Sequence, residues 1–392
     1  MALSKIDVAN MVTGETPVAN GGTGQTTFAA AGLTRPNTKS IVVNGDMAVS
    51  QRSTSTASVS SSGYYTVDRY KFSDNSDAVL TFTQESLTSG NAYLDGFANA
   101  LKADVTTVDD SLASGQYALI SYAAEGQDLQ TLKKGTANAE TITIAFWVKA
   151  TKTGTSIFEI FDNDNTRQVS KAFTISSSDT WEKKVLNFPA DTTGALGDDN
   201  AVSLYFQWYL CAGSDYTSGT LSETWTGNTG ANRAVGQVNH FDNTSNNFHI
   251  TGFQIEVGTF SSTTIPPFQH ESFGDNLARC QRYFQNLGEG TEKPLANGFF
   301  WEAQEFMAHA GLNAIMRAEP TLEYITASNY YSILRNGGTD QLDALVISGS
   351  SSRSYIRYHL ASGQGVASDT KNRPGQLMTA NSSSRVGVTA EL

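Results

Sequence analysis

The sequence is short of charge. Only 16% of its 392 residues are Asp, Glu, Lys or Arg, against roughly a quarter in an ordinary soluble protein. Basic residues are the scarcer kind: 26 Lys and Arg stand against 38 Asp and Glu, for a formal net charge of -12. They form neither a basic run nor a basic–aromatic stripe. Phosphate backbones are bound by clustered Lys and Arg, so nucleic acid is not an expected partner, and attraction to an anionic membrane surface is not expected on the same ground. No apolar run approaches the about 20 residues of a membrane span, so no membrane insertion is expected. Residues 1–10 lack the apolar stretch of a secretory signal. The two cysteines, Cys211 and Cys280, are far apart and cannot supply a disulfide scaffold; buried thiols or one bridge between them both remain open. The five histidines, at 240, 249, 270, 309 and 359, have no HExxH or His-x-His spacing, which argues against zinc. No GxSxG is present, and GGTGQTT lacks the Lys-Ser/Thr ending of a phosphate loop. With 8 prolines and 34 glycines, turns fall mostly to Asn, Asp, Ser and Gly.

What fills the gap is Ser, Thr, Asn, Gly and Gln around alternating apolar residues. Ala78, Leu80 and Phe82 alternate with polar partners, and so do Leu101, Ala103 and Val105. TITIAFWVK puts Ile142, Ile144, Phe146 and Val148 on one face; SLYFQWYL does the same for Leu204, Phe206, Trp208 and Leu210. Residues 248–257 switch parity at Gly252, the mark of a bulge. Period 2 reads as half-buried antiparallel strands. Many such strands without a long amphipathic helix predict a mainly β chain: a jelly-roll-like antiparallel β-sandwich over 37–272. Leu277, Cys280 and Phe284 recur at helical spacing, predicting a helix over 274–285 with Asp275 as its cap, inside a connector over 273–286. A second, smaller β-rich domain follows over 287–392, with strands expected at 314–316, 355–360, 376–379 and 386–391; the stretch 286–345 patterns weakly.

Residues 1–36 differ from the rest. Gly21-Gly22-Thr23-Gly24 cannot hold a regular element cheaply, and a short helix at 26–33 would end before Arg35-Pro36. The stretch has too little apolar surface to fold alone. It reads as an extended arm that needs a partner, with Met1, Leu3, Ile6, Val8, Met11 and Val12 as its anchoring contacts.

Several segments together resemble bacteriophage tail-fibre and related virion proteins. PVANGGTGQTT (17–27) is similar to the Gly-rich motif of such fibres. NGDMAVSQR (44–52) and YYTVDRYKF (64–72) resemble the start of their carbohydrate-binding-module-like domain. TITIAFWVKATKTGT (141–155) and DTWEKKVLNFPADTTG (179–194) continue it, residues 248–284 resemble its closing strand and exit, and LMTANSSSRVGVTAEL (377–392) resembles the usual ending. The resemblance implies a homotrimeric virion fibre, most simply on the phage tail and assembled in the host cytoplasm. The arm would dock to a tail adaptor or another virion protein, and the sandwich would bind a host surface glycan. It also leaves open a head or tail decoration protein without a receptor, and a polysaccharide depolymerase.

Candidate residues follow from this. Sugars stack their C–H faces on aromatic rings and hydrogen-bond to amides and carboxylates. Trp208 shares parity with Leu204 and Phe206 and is expected in the core. Tyr209, Tyr216 and Trp225 lie in a strand–loop region rich in small polar residues and are the surface candidates for glycan binding. Asp162-Asn163-Asp164-Asn165 and Asp198-Asp199-Asn200 are oxygen-rich turns. Calcium takes six to eight such ligands, and the resemblance to jelly-roll modules makes Asp162 and Asp164 candidates for a structural calcium, beside the reading of both turns as plain Asx turns. No acid stands out as a glycosidase pair by its local context; Glu256 and Glu271 match recurrent positions of the resembled region without a catalytic setting, and no enzyme is expected. His240 and His249 could face each other near a strand start.

Overall fold

A computed structural model describes residues 40–369 and 371–392. The expected arm over 1–36, its helix and its anchoring residues lie outside them. Two antiparallel sheets form a sandwich. The first runs, edge to edge, β1 (Ser55–Val59), β4 (Val79–Ser86), β5 (Asn99–Thr107), β13 (Asn247–Val257), β7 (Ile142–Ala150) and β10 (Glu182–Phe188). The second runs β12 (Thr226–Gly227), β9 (Arg167–Ile175), β8 (Gly154–Asp162), β11 (Val202–Ala212), β6 (Tyr117–Glu125), β3 (Tyr70–Asp74) and β2 (Gly63–Tyr64). The facing residues are the alternating sets read from the sequence. Ile144, Phe146 and Val148 meet Leu204, Phe206 and Trp208, all fully buried. The Trp208 ring sits 4.8 Å from both Phe158 and Phe253. The parity switch in β13 is a bulge: its pairing with β7 shifts between Thr251 and Gln254, and Gly252 has φ 62° with the Phe97 ring against it.

The second domain has its own core around Phe300, Phe306, Ile333, Tyr358 and Leu377. A three-stranded sheet runs β14 (Phe284–Glu289), β22 (Arg385–Thr389), β17 (Thr321–Tyr324). A six-stranded sheet runs β19 (Gly338–Leu342), β18 (Tyr331–Arg335), β21 (Pro374–Thr379), β15 (Pro294–Glu302), β16 (Glu305–Gly311), β20 (Tyr355–Ala361). Three of the four expected strands are therefore present. Residues 314–316 are not a strand: Met316 is buried, with its backbone held at both ends by Arg353. The weakly patterned stretch carries strands β14 to β19. Bulges in β14 and β15 break the alternation that would have announced them. The connector helix spans Phe273–Cys280, shorter than predicted. Its cap is Ser272 rather than Asp275: the Ser272 hydroxyl accepts the Asp275 N–H and donates to the Asp275 carboxylate.

The two domains meet through buried charges. Arg69 donates to Glu391 at 2.7 Å and to the Ala123 carbonyl at 2.7 Å, with its guanidinium 3.4 Å from the centre of the Tyr283 ring. Arg52 bridges Glu323 and Glu391 and lies 3.8 Å from the Phe284 ring centre. Arg282 grips Glu125 at 2.7 Å, and Arg317 reaches across to the Asn200 carbonyl at 2.6 Å. Segments 44–52, 64–72, 248–284 and 377–392 each send residues to this junction. Much of what the quoted motifs encode is thus the way one domain seats on the other. Asp68 is buried there, and desolvation pushes its carboxyl up to about 6 against the hydrogen bonds of Gln51.

Candidate functional site

Tyr209 points to the outer face of β11, as its parity demands, yet it is not on the surface. Segment 213–240 folds over that end of the sheet and packs Ala234 against Leu119, Ile157 and Tyr209. Tyr209 is 1% exposed, and its hydroxyl donates to Glu159 at 3.3 Å. Tyr216 is partly buried edge-on against Tyr117, ring centres 5.3 Å apart. Trp225 is partly buried against the main core, its indole N–H donating to the Pro189 carbonyl at 2.9 Å. These three aromatics pack a long segment onto the sandwich and do not make one open platform. Sequence parity could place Tyr209 on the outer face but could not show what covers that face.

The acidic turns are also engaged internally. Asp162 is fully buried in an ion pair with Lys134 and accepts from the Asn165 backbone and side-chain amides. Asp164 turns elsewhere and accepts from the Gly197 N–H at 2.9 Å. Asp199 accepts the Ala201 N–H, an Asx turn. Asp162 and Asp164 therefore do not converge on one cation, and among the described residues no group of three His, Cys, Asp or Glu side chains is arranged to hold a metal. Glu256 accepts from Gln254 within its own strand, and Glu271 pairs with Arg279. His240 and His249 do not face each other. His240 packs on Phe248 and hydrogen-bonds Ser156, whereas His249, on the opposite side of β13, sits beside Glu85 and Trp181. Burial pushes His240 down to about 4, which leaves it neutral.

The outer face of the second sheet carries a different set. On β11, Tyr205 and Gln207 share the outward parity of Tyr209; Tyr205 lies beyond the covering segment and is half-buried, whereas Gln207 is buried under its edge against Arg233. Tyr205 stands opposite Ala123 on β6 and Phe161 on β8. Gln207 stands opposite Ser121 and Glu159. Lys71 on β3 is paired to Ser121 on one side and Tyr64 on the other. A hydrogen-bond chain crosses these strands: Arg233 donates to the Gln207 side-chain Oε1 at 3.3 Å, and the Gln207 side-chain amide donates to the Ser121 hydroxyl at 3.3 Å. Arg233 is fixed from below by the fully buried Glu159 at 2.6 Å, and its guanidinium lies 5.0 Å from the Phe161 ring centre. Phe161, Tyr205 and Lys71 remain partly exposed. Burial raises the Tyr205 phenol pKa, so the hydroxyl stays protonated at neutral pH. The strip lies between two rims. Segment 213–240, which brings Arg233, is one. Tyr64, whose hydroxyl donates to the Leu392 carbonyl at 2.8 Å, marks the other.

Chemically the strip offers two half-buried rings for apolar faces, with the cations of Lys71 and Arg233 alongside and the amide of Gln207 and hydroxyl of Ser121 buried between them. All but Arg233 are set on strands, which hold their spacing more tightly than loops do. Parity alone would have found Tyr205 and Gln207 in SLYFQWYL. Phe161 was hidden because β8 reads as an almost continuous apolar run, its outward Ile157 being covered as well.

No family model and no curated protein matches the sequence. Solved structures similar to the chain at low identity include the enzymatically active domain of tailspike protein 4 of bacteriophage CBA120, at 12% identity and a TM-score of 0.29, over 56% of this chain and 21% of that one. The family 11 carbohydrate-binding module from Clostridium thermocellum, in complex with a mixed-linked tetrasaccharide, shares 10% identity at a TM-score of 0.26, over 49% of this chain and 91% of that one. The module TmCBM61, in complex with beta-1,4-galactotriose, shares 9% identity at a TM-score of 0.27, over 56% and 99%. The chain thus spans about a fifth of the tailspike it resembles. Likenesses at these scores carry no argument, and the assignment as antiparallel β-sandwich rests on the strand pairing itself.

Proposed function

We propose that this protein is a structural component of a phage virion, a trimeric tail fibre, and that it binds a host surface glycan on the outer face of its second sheet. The observation that carries the binding reading is the strip of Phe161, Tyr205, Gln207, Ser121 and Lys71 with Arg233 at its edge. Half-buried rings for stacking stand beside an amide and a hydroxyl that are buried and linked between β11 and β6, with Arg233 joined to the amide. The virion setting, the trimer and docking of the arm to a tail adaptor or another virion protein rest on the resemblance of the quoted segments. The mechanism is binding, not turnover. Weak sites repeated on one particle gain strength by multivalency.

The test is retention of purified full-length protein on host cells, together with binding to an array of surface glycans. Tyr205→Ala and Phe161→Ala should each weaken retention about fivefold, the loss expected of a stacking ring worth roughly 1 kcal/mol, with melting temperature little changed. Unchanged retention by both variants would rule the strip out as the site. Release of oligosaccharide from the host glycan would replace binding by depolymerase activity.

A further inference from the structure

Lys134 follows the short turn Gln130–Leu132 and is itself buried, its side chain 3% exposed. Its ammonium reaches into a ring of four oxygens. Asp162 Oδ2 is in direct contact, Asp191 Oδ2 lies at 3.0 Å, the Gly194 carbonyl at 2.9 Å and the Thr193 carbonyl at 3.3 Å. Both carboxylates are almost wholly buried, at 0% and 4%. Two carboxylates and two backbone carbonyls, drawn from the β8–β9 turn and from loop 189–197, are hard oxygens of the kind that hold calcium. An ammonium with three donors fills their centre instead.

The charge count closes around this arrangement. Arg167 also grips Asp191, at 2.9 and 3.0 Å, so two cations meet two carboxylates. A divalent ion added beside the ammonium would leave the buried cluster with two excess positive charges, which the surrounding core could not solvate. The residues present therefore do not fit a bound calcium.

We propose that Lys134 is the built-in cation of this edge of the sandwich, standing where a structural divalent metal would otherwise tie the β8–β9 turn to loop 189–197. The same ammonium lies 4.9 Å from the Trp225 ring centre, and Asp162 directly follows Phe161 on β8. One lysine thus anchors the turn, the loop and the covering segment together.

Thermal unfolding of the full chain tests this without reference to any glycan. The wild type should melt at the same temperature in EDTA and in millimolar calcium; a lower melting temperature in EDTA overturns the proposal. Lys134→Ala leaves two buried carboxylates with Arg167 on Asp191, one negative charge in excess, and should melt well below wild type in EDTA. Calcium, which accepts flexible oxygen cages, should raise the variant's melting temperature, while magnesium, which demands strict octahedral geometry, should not. No rise with calcium overturns the claim that the ring is a cation cage. If Lys134→Ala fails to fold during expression, refolding from urea reads the same point. Recovery with calcium alone supports the proposal, and recovery under neither condition overturns it.

Discussion

Arg69 and Lys371 show how differently one charge counts in two settings. Arg69 is 1% exposed, and its carboxylate partner among the described residues, Glu391, lies 322 positions away in the sequence. Lys371 and Glu302 are both about half exposed. Removing one member of a buried pair strands the other without water, at a cost of about 3–5 kcal/mol, whereas an exposed pair is worth roughly 0–1 kcal/mol. Arg69→Ala leaves the buried Glu391 to Arg52, with half of its pairing lost, and should lower the midpoint of urea unfolding clearly, whereas Lys371→Ala should leave it almost in place. Asp68 acts with the opposite sign. Its folded carboxyl titrates at about 6, above its unfolded value, so the folded state binds the extra proton. The ionised carboxylate costs stability above pH 6, and that cost is relieved as pH falls from 6 towards 4. Against Asp68→Asn, wild type should gain about 2 kcal/mol between pH 7 and pH 4. A flat difference across that range would mean that Asp68 is not strained by its burial. None of this is legible in VDRY itself, because the partners are distant in sequence and the burial comes from another domain.

At the scale of elements, legibility followed the period. Strands β4, β5, β7, β11 and β13 bury one face against a regular partner, and their alternation survived in the sequence. Among strands β14 to β19, β17, β18 and β19 are short and bulges shift the pairing of β14 and β15, so the period breaks every few residues. The bulge in β13 was legible because glycine marks it. At φ 62° with the Phe97 ring within 2.7 Å of an added Cβ, Gly252→Ala meets both backbone strain and a clash. It should cost about 1–3 kcal/mol of stability in denaturant unfolding, by the magnitude of such strained positions. Gly274, which has open space around it and no positive φ, should tolerate alanine. The candidate site divides along the same line. Parity gave the outward face of β11, but which outward residues stay open depends on segment 213–240. That segment has almost no period to read.

At the scale of the molecule, the junction decides whether two cores behave as two proteins. Each domain buries its own apolar set, which would permit independent unfolding. Yet Arg52, Arg69, Glu125 and Arg282 make their ion pairs across the boundary, and Arg385 donates to the Arg52 carbonyl at 2.6 Å. Burial favours the neutral form of Glu125, but the hydrogen bonds of Arg282 and Tyr283 and the positive charges of Arg282 and Arg317 together hold the carboxyl below its ordinary value. If the second domain unfolded alone, Arg52 and Arg69 would lose Glu391 and Glu323 while their stems stayed in the sandwich. That penalty of several kcal/mol is comparable to the whole stability of a domain. Calorimetry of the wild type at neutral pH should therefore show one unfolding transition. Glu391→Ala removes the carboxylate shared by both arginines and should split the trace, with the smaller domain melting first. Two separate transitions in the wild type would show that the charged junction does not couple the domains. A single transition retained in Glu391→Ala would place the coupling in Glu125–Arg282 and the Arg317 contacts instead, which Arg282→Ala in the same background would then break.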